Sequence, residues 1–548
     1  MILEHITSPD DVKQLDASGR AQLIAEMRHA LLQRASAHGG HVGPDLGFIE
    51  ATVALHTVFS SPRDKFVFDV SHQSYPHKML TGRQQAYTDP AHYDDVSGYT
   101  NPQESEHDFF NIGHTSTSIA LAAGLAKARD LAGRKEDIVA IIGDGSLSGG
   151  EALEGLNVAG ELGTNFIIVV NDNDMSIAEN HGGMYEAFRE LRETEGRAQN
   201  NLFRAMGLDY RFVKDGNDVE ALIKAFEEVR GIDHPVVVHI VTQKGRGYRF
   251  AEENREAWHW HMPFDLETGE ETIPYVDPYA QQTVQYLLQA IKDDPNLVVL
   301  TAGVPSLMGF KAEQRLEAGR QFVDVGIAEE AAVAMASGLA KGGARPVFGT
   351  FSTFFQRTYD QLSQDVCING NPAVFLVFGA SHLGLFDIPM MSNIPELVCL
   401  SPTSPAEYQA MLAWAIRQTE HPVAIRVPVL VPEGLEEQPA VRTSYDELNR
   451  SAARRPSSAS AISSAWPRKR RPCSPSKAST SRSSTRSSPP VSTKHCSRAS
   501  KKITDSSSRS RTAASQAASG KRSHVSMARV RCASRATATK RNSTTATT

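Results

Sequence analysis

The sequence has no long apolar run and few cysteines. Its longest apolar stretches, such as 138–142 and 166–170, have the length of a strand, whereas a membrane-spanning helix needs roughly 20 apolar residues. Of five cysteines in 548 residues, only Cys367 and Cys399 precede residue 450, and they lack metal-ligand spacing. The N-terminus has neither the basic segment nor the apolar core of a signal peptide. These absences exclude a membrane span, argue against disulfides and a cysteine-zinc site, and predict a cytoplasmic protein.

Acidic residues nearly disappear from the last part of the chain. Residues 451–548 contain 22 Lys and Arg and a single acidic residue, Asp505, which leaves 35 basic and 62 acidic residues in residues 1–450. The formal net charge of -6 therefore combines -27 for the first part with +21 for the tail. An acidic first part repels a phosphate backbone, so we expect no nucleic-acid partner for it.

The tail is also poor in apolar and aromatic residues. Serine accounts for 27 of its 98 residues, and Trp466 is its only aromatic residue. Such a segment cannot bury enough apolar surface to offset its ordering entropy, so we predict a disordered, basic, low-complexity tail over 451–548. One interpretation is a nucleic-acid-binding tail. The abrupt change to Ser, Arg, Ala, Thr and Pro favours a frameshift that replaces a C-terminal domain, which resequencing of the gene would test.

Residues 20–430 alternate short β-branched runs with amphipathic stretches, which is typical of parallel sheets covered by helices. The predicted fold class is α/β with mainly parallel sheets. Strands are predicted at 65–70, 138–142, 166–170, 236–241, 297–301, 321–325, 347–350, 374–378, 397–400 and 423–426. The segment 252–278 lacks sustained periodicity and separates two series of strands. We therefore expect one domain at 1–262, a linker at 263–280 and a second domain at 281–435.

Two polar triplets directly follow predicted strands. Gly143-Asp144-Gly145 follows 138–142, and Asn171-Asp172-Asn173 follows 166–170. The carboxyl ends of strands are where an open α/β sheet binds ligands, and a following helix offers its N-terminal amides to an anion. Asp144 and Asn173 each supply an oxygen suited to Mg²⁺. A GDG triplet alone more often marks a turn, but the pair at this spacing indicates a site for a metal diphosphate such as thiamine diphosphate.

The sequence resembles thiamine-diphosphate enzymes of the transketolase type, and most closely the 1-deoxy-D-xylulose-5-phosphate synthase family. The resemblance covers residues 20–430. It rests on the two triplets and on Gly40-His41, Leu46-Gly47 with Glu50, Asp69 to Lys78, Thr81-Gly82-Arg83, Gly113 to Ser118, Lys244 to Tyr248 and Ile327-Ala328-Glu329. The string His72-Gln-Ser-Tyr-Pro-His77-Lys78 favours the synthase over transketolase. The resemblance implies two thiamine-diphosphate-binding domains, a homodimer and small-molecule substrates.

The resemblance also implies a set of cofactor and metal residues. It assigns Mg²⁺ to the side chains of Asp144 and Asn173 and to the main-chain carbonyl of Met175. Residues matched to positions that bind the cofactor are His72, Gly113, His114, Ser116, Gly143, Asp144, Gly145, Asn173, Lys244, His259 and Phe354. Of these, Phe354 matches the aromatic residue that stacks on the aminopyrimidine ring, although its type alone would equally suit a core position.

Catalytic roles are implied for Glu329, His41, His382 and Arg357. Glu329 opens a predicted helix over 328–341 and matches the glutamate that activates the cofactor at a ring nitrogen. On local sequence alone, a glutamate there would be explained by the helix dipole. His41 matches a proton-transfer histidine. A structural role is the usual expectation for any one of the 19 histidines, and no role follows for His77.

Two sequence patterns concern a possible metal site and the binding of the acceptor phosphate. Trp258-His259-Trp260-His261 invites a metal site, but no further ligand stands nearby in the sequence, so only His259 is assigned, by position, to the cofactor side. The family's acceptor-phosphate residues, one tyrosine and two arginines, correspond here to Phe351, Val429 and the stretch 377–380. The resemblance implies a reaction that joins pyruvate to D-glyceraldehyde 3-phosphate with loss of CO₂. Alternatives are a transketolase-like or decarboxylating ketol transferase with another aldehyde acceptor, and an inactive cofactor-binding remnant.

Overall fold

A computed structural model describes residues 1–273, 275–379, 386–428 and 530–531. All of these residues belong to one compact unit. Within them, no helix combines the length and apolar character needed to cross a membrane.

Strands and helices alternate along most of the described chain. The strands are β1 Gly40–His41, β2 Lys65–Phe68, β3 Ile138–Gly143, β4 Phe166–Asp172, β5 Asp209–Val213, β6 Pro235–Val241, β7 Trp260–His261, β8 Leu297–Thr301, β9 Phe322–Asp324, β10 Arg345–Phe351, β11 Val374–Phe378, β12 Val398–Leu400, β13 Val423–Val427 and β14 Val530–Arg531. The α-helices are α1 Pro9–Val12, α2 Ala17–His38, α3 Gly43–Val58, α4 Tyr75–Lys78, α5 Gln85–Thr88, α6 Ser118–Leu131, α7 Gly150–Ala159, α8 Met184–Glu193, α9 Leu202–Ala205, α10 Val219–Val229, α11 Arg249–Glu253, α12 Pro278–Asp293, α13 Ala312–Ala318, α14 Glu329–Lys341, α15 Asp387–Ser392 and α16 Pro405–Arg417.

The first sheet is entirely parallel and has the order β2-β3-β4-β6-β5. Its central strands β3 and β4 are buried along nearly their whole length, which explains their continuous Ile and Val content. The predicted strands of this sheet are confirmed to within two residues at each end. Strand β5, with the sequence Asp-Tyr-Arg-Phe-Val, escaped prediction because it is short and two of its five residues are charged.

The second sheet has the order β14-β12-β13-β11-β10-β8-β9. All neighbouring pairs are parallel except β14 with β12, which places the tail residues Val530 and Arg531 antiparallel to Cys399 and Val398. The α/β class with mainly parallel sheets is therefore confirmed. The rest of 451–548 lies outside the described residues, and so does the prediction made for it.

The segment between the two series of strands contains more structure than its sequence indicated. Helix α11 begins at Arg249, and the two residues of β7 pair antiparallel with β1, so that Trp260 stands opposite His41 and His261 opposite Gly40. Pairing with a strand more than 200 residues earlier leaves no periodic signal in the local sequence. This small sheet fixes the position of His259 relative to His41.

Candidate active site

Asp144 and Asn173 follow the neighbouring central strands of the first sheet. Strand β3 ends at Gly143, which is paired with Asn171 of β4, so both polar residues emerge at the same edge. Asp144 is 1% exposed, and its Oδ2 accepts hydrogen bonds from the Asn180 side chain at 2.6 Å and the Met175 amide at 3.2 Å. The Oδ1 of Asn173 is buried and has no hydrogen-bond partner among the residues that the structure describes. Two oxygen ligands are therefore available side by side for a hard cation.

The electrostatics of this edge favour a bound cation. Burial, together with the neighbouring charge of Asp172, raises the pKa of Asp144 to about 8. A carboxyl group that is costly to ionise in the protein alone gains most from a nearby positive charge. Asp144 and Asn173 thus lie where the sequence placed them, and Met175 lies in the loop against Asp144, with its amide directed at that carboxylate.

A buried network beneath the Asn171-Asp172-Asn173 triplet was not anticipated. Asp172 accepts a hydrogen bond from His239 at 2.9 Å and is paired with Arg192 at 2.9 Å, and His239 in turn bonds the hydroxyl of Tyr210 at 2.7 Å. Burial would raise the pKa of Asp172, but His239 and Arg192 outweigh it and hold that pKa below its ordinary value. The network anchors the strand end that carries Asn173. The only sequence signal was the central aspartate of the triplet.

Lys244 contacts the loop that follows Asn173. Its side chain is 2% exposed, and its Nζ donates to the carbonyl of Ser176 at 2.6 Å. Burial lowers the pKa of Lys244 to about 7. Gly145 belongs to the same arrangement, since a Cβ there would lie 3.0 Å from Ser176. The turn after β3 and the loop after β4 are therefore packed tightly against each other.

Three of the predicted histidines, His41, His72 and His259, converge beside this loop. The ring centroids are 4.7 Å apart for His41 and His72, 5.1 Å for His72 and His259, and 5.6 Å for His41 and His259. Burial lowers the pKa of all three, that of His72 to about 4. The partners that the sequence around His259 lacks are thus supplied from distant parts of the chain, and the three imidazoles are neutral near pH 7.

The structure gives His77 a role that sequence did not reveal. Its Nε2 donates to Asp108 at 3.1 Å, and its Nδ1 accepts from His56 at 2.9 Å. The adjacent Lys78 is fully buried and paired with Glu104 at 2.6 Å. Asp108 and Glu104 both belong to the segment between α5 and α6, which leads to His114. The His-Lys pair therefore fastens this long connection to the first sheet.

The Gly113 to Ser118 stretch is shaped by Asp69, which follows β2. The two carboxylate oxygens of Asp69 accept from the amides of Ser116 and Ser118 at 2.8 and 3.0 Å. Ser116 has a φ of +75°, and its hydroxyl donates to the carbonyl of Ser146 at 2.8 Å. Gly113 and Ser116 thus lie in one loop, which is bonded to the turn that follows Asp144 and Gly145.

Glu329 is the first residue of α14 and is 1% exposed. Its Oε2 lies 3.5 Å from Arg357 Nη1 and has no hydrogen-bond partner within the described part of the chain. Burial raises the pKa of Glu329 to about 7, although Arg357 acts in the opposite direction. A second carboxyl group with a raised pKa therefore points into the site. The stretch before it contacts the first sheet's loop, because the amide of Ile327 donates to Ser148 Oγ at 2.9 Å.

Arg357, His114 and Phe354 lie together. Arg357 donates to the Thr115 hydroxyl at 2.8 Å and also to the Thr115 carbonyl. His114 is hydrogen-bonded to the Thr353 hydroxyl at 2.6 Å, and its ring packs edge-on against Phe354, with centroids 5.4 Å apart. The structure therefore brings together residues that are about 240 positions apart. Phe351 packs edge-on against Phe354 from the other side, whereas His382 and Val429 lie outside the described residues.

The chain is similar in sequence to known proteins over most of its described length. A family model described as "1-deoxy-D-xylulose-5-phosphate synthase" matches residues 3–200 and 194–242, and one described as "Transketolase, pyrimidine binding domain" matches residues 280–430. A 1-deoxy-D-xylulose-5-phosphate synthase from Symbiobacterium thermophilum is 40% identical over 471 residues, which cover 78% of this chain and 72% of that protein. A protein of the same description from Geobacter sulfurreducens is 39% identical over 475 residues, which cover 78% and 74% of the two chains.

Proposed function

Because the chain belongs to the 1-deoxy-D-xylulose-5-phosphate synthase family, we propose that it condenses pyruvate with D-glyceraldehyde 3-phosphate and releases CO₂. The observation that carries this proposal is the pairing of Asp144 and Asn173 at one sheet edge with the buried Glu329 at the adjoining segment. Thiamine diphosphate, when bound with Mg²⁺, supplies the nucleophilic carbon that adds to the keto group of pyruvate.

The residues present fit both groups. Asp144 and the buried Oδ1 of Asn173 offer oxygens to Mg²⁺, together with the main chain at Met175. The Oε2 of Glu329 is buried, and Arg357 at 3.5 Å is too distant to hydrogen-bond it, so this oxygen can accept from or donate to a ring nitrogen. Gly149 packs closely against Ser116, since a Cβ there would overlap the Ser116 hydroxyl. We assign the diphosphate to this glycine-rich turn, where the N-terminus of α7 favours an anion.

Glu329 would hold and share a proton. With a pKa raised by burial to about 7, both of its protonation states are populated at neutral pH, which suits exchange of a proton with a ring nitrogen. Arg357 lies 3.5 Å away and limits the rise in that pKa. We assign His41 to proton transfer at the substrate and place His72, His114, His259 and Lys244 around the cofactor. Phe354 would lie against the aminopyrimidine ring.

The site for the acceptor aldehyde is where this chain departs from the residues of the family. Phe351 stands at the position that the resemblance gives to a phosphate-binding tyrosine, and it packs on Phe354 rather than presenting a hydroxyl. An acceptor without phosphate would suit that apolar surface. Reaction of pyruvate with an unphosphorylated aldehyde is therefore the second candidate function.

The test uses the purified full chain with thiamine diphosphate, Mg²⁺, carboxyl-labelled pyruvate and a panel of aldehydes. Labelled CO₂ whose release requires D-glyceraldehyde 3-phosphate supports the synthase, and release with unphosphorylated aldehydes alone supports the second candidate. Ketol transfer from a ketose phosphate without CO₂ indicates a transketolase. Turnover should be lost in Glu329→Ala with the fold intact. A chain that binds cofactor without any turnover is an inactive remnant.

We also propose two domains, at residues 1–262 and 281–435 and joined by 263–280, and a homodimer in the cytoplasm. The two separate parallel sheets support the domain assignment, and the family resemblance supports the dimer. Sedimentation of the purified chain tests the dimer, and a monomer at assay concentration would contradict it.

A further inference from the structure

The cluster formed by His41, His72 and His259 has the composition of a transition-metal site. One ligating atom from each imidazole lies within 4.8 Å of the corresponding atoms of the other two. The three residues come from β1, from the loop after β2 and from the turn before β7, so the cluster exists only in the folded chain. We propose that these three histidines bind one borderline divalent cation such as Zn²⁺, at a site separate from the Asp144 and Asn173 oxygens.

The spacing of the rings is close to what a metal requires. Zn–N bonds of about 2.0–2.1 Å in a tetrahedral site place the nitrogens about 3.4 Å apart. Separations of up to 4.8 Å must therefore shrink by about 1.4 Å at most, which side-chain rotation provides. All three side chains are half-buried, so an ion has access from solvent, and three protein ligands leave a fourth position for water.

The hydrogen bonds around the rings prepare them as ligands. The Nδ1 of His72 lies 2.8 Å from the side-chain oxygen of Gln73, an arrangement in which Nδ1 donates and Nε2 keeps its lone pair. Metal-binding histidines are commonly held in this way by a carbonyl on the second nitrogen. Among the residues that the structure describes, none is hydrogen-bonded to the buried Nδ1 of His259.

The two cation sites differ in ligand chemistry. Asp144 and Asn173 offer oxygens, which Mg²⁺ prefers, whereas imidazole nitrogens favour Zn²⁺, Co²⁺ or Cu²⁺. Lys244 is close enough to the histidines to lower their pKa through its charge, and it opposes a dication there. Its Nζ is directed at the carbonyl of Ser176, to which it donates at 2.6 Å.

Metal at the cluster would block the enzyme. This consequence rests on the proposed function, because His41 is assigned there to proton transfer at the substrate. An imidazole that ligates a metal cannot accept a proton. Zn²⁺ is therefore expected to inhibit turnover even when Mg²⁺ is saturating.

The direct test is a Co²⁺ titration of the metal-free full chain in the presence of excess Mg²⁺, followed by visible absorption. Co²⁺ on three nitrogens and a water gives d–d bands many-fold more intense than Co²⁺ in an octahedral oxygen site. The expected result is one such Co²⁺ per chain, displaced by one equivalent of Zn²⁺. Weak octahedral bands, or bands abolished by Mg²⁺, would overturn the proposal.

Variants locate the ion and separate this proposal from the proposed function. His72→Gln and His259→Gln should each weaken Co²⁺ binding at least 10-fold, while His5→Gln, at an exposed position, should leave it unchanged. Equal binding in all three variants would place the metal elsewhere and overturn the proposal. Because absorption does not depend on turnover, an inactive chain that still shows the bands contradicts only the proposed function.

Discussion

Replacing Glu329 with glutamine is expected to stabilise the cofactor-free protein at neutral and alkaline pH while removing its activity. Glu329 is 1% exposed, and burial raises its pKa from the ordinary value of 4.5 to about 7. Below pH 4.5 the carboxyl group is protonated in both the folded and the unfolded chain. As the pH rises from 4.5 to 7, the unfolded chain loses this proton first, so the free energy of unfolding falls.

The magnitude follows from the two pKa values. A difference of one in pKa corresponds to about 1.4 kcal/mol, so the rise from 4.5 to about 7 costs the folded state roughly 3 kcal/mol above pH 7. Glutamine has the shape of the protonated carboxyl group and cannot ionise. Glu329→Gln should therefore gain about 3 kcal/mol over the natural chain at pH 8, and about 1 kcal/mol or less at pH 5.

The assay is thermal unfolding of both proteins without cofactor between pH 5 and 8. With an unfolding entropy of about 2.1 cal/mol/K per residue, the gain at pH 8 corresponds to an apparent unfolding temperature roughly 3 °C higher. Glu313→Gln, which changes an exposed glutamate in α13, is the matched control and should show no such trend. If Glu329→Gln shifts the unfolding temperature equally at all pH values, or lowers it at pH 8, the carboxyl group is not held in the way described.

Two further substitutions test the packing of the site. Gly149→Ala should weaken thiamine diphosphate binding at least 10-fold by calorimetry, because the new methyl group would overlap the Ser116 hydroxyl, whereas Gly124→Ala, at an exposed position in α6 with no described atom within 4 Å of its Cβ, should bind normally. Equal affinities in the two variants would show that this turn does not contact the cofactor. Lys78→Met should destabilise the chain by about 2 kcal/mol and speed proteolysis after α5, because it removes the buried ammonium group that donates to Glu104 and leaves Arg83, at 3.4 Å, as the paired cation; unchanged proteolysis would contradict the fastening role.

Local sequence predicted strands well where a whole segment is buried and its residues are therefore apolar. Strands β3, β4 and β11 were predicted closely, because a parallel strand covered on both faces reads as a continuous run of Ile, Val and Phe. Strand β5 was missed, since it is short and two of its five residues are charged. The two-residue strands β1 and β7 were missed as well, because their pairing joins segments that local periodicity cannot relate.

Some residues of the site were likewise evident from local sequence, and others were not. The Gly143-Asp144-Gly145 and Asn171-Asp172-Asn173 triplets pointed to one sheet edge because each directly follows an apolar strand. The network of Asp172, His239, Arg192 and Tyr210 was invisible, since its members are common residue types scattered over 67 positions. For His77, too, the function depends on Asp108, which nothing nearby in the sequence marks as its partner.

Sequence by itself determined the α/β class, the acidic first part and basic tail, and the identity of the residues suited to a metal diphosphate. These follow from composition, from side-chain chemistry and from short-range pattern, which folding does not alter. Only the tertiary structure decided which groups meet and how they ionise. Glu329 has a pKa near 7 because folding buries it, and His41, His72 and His259 form one cluster because β1 pairs with β7. Desolvation and proximity are properties of the packed chain.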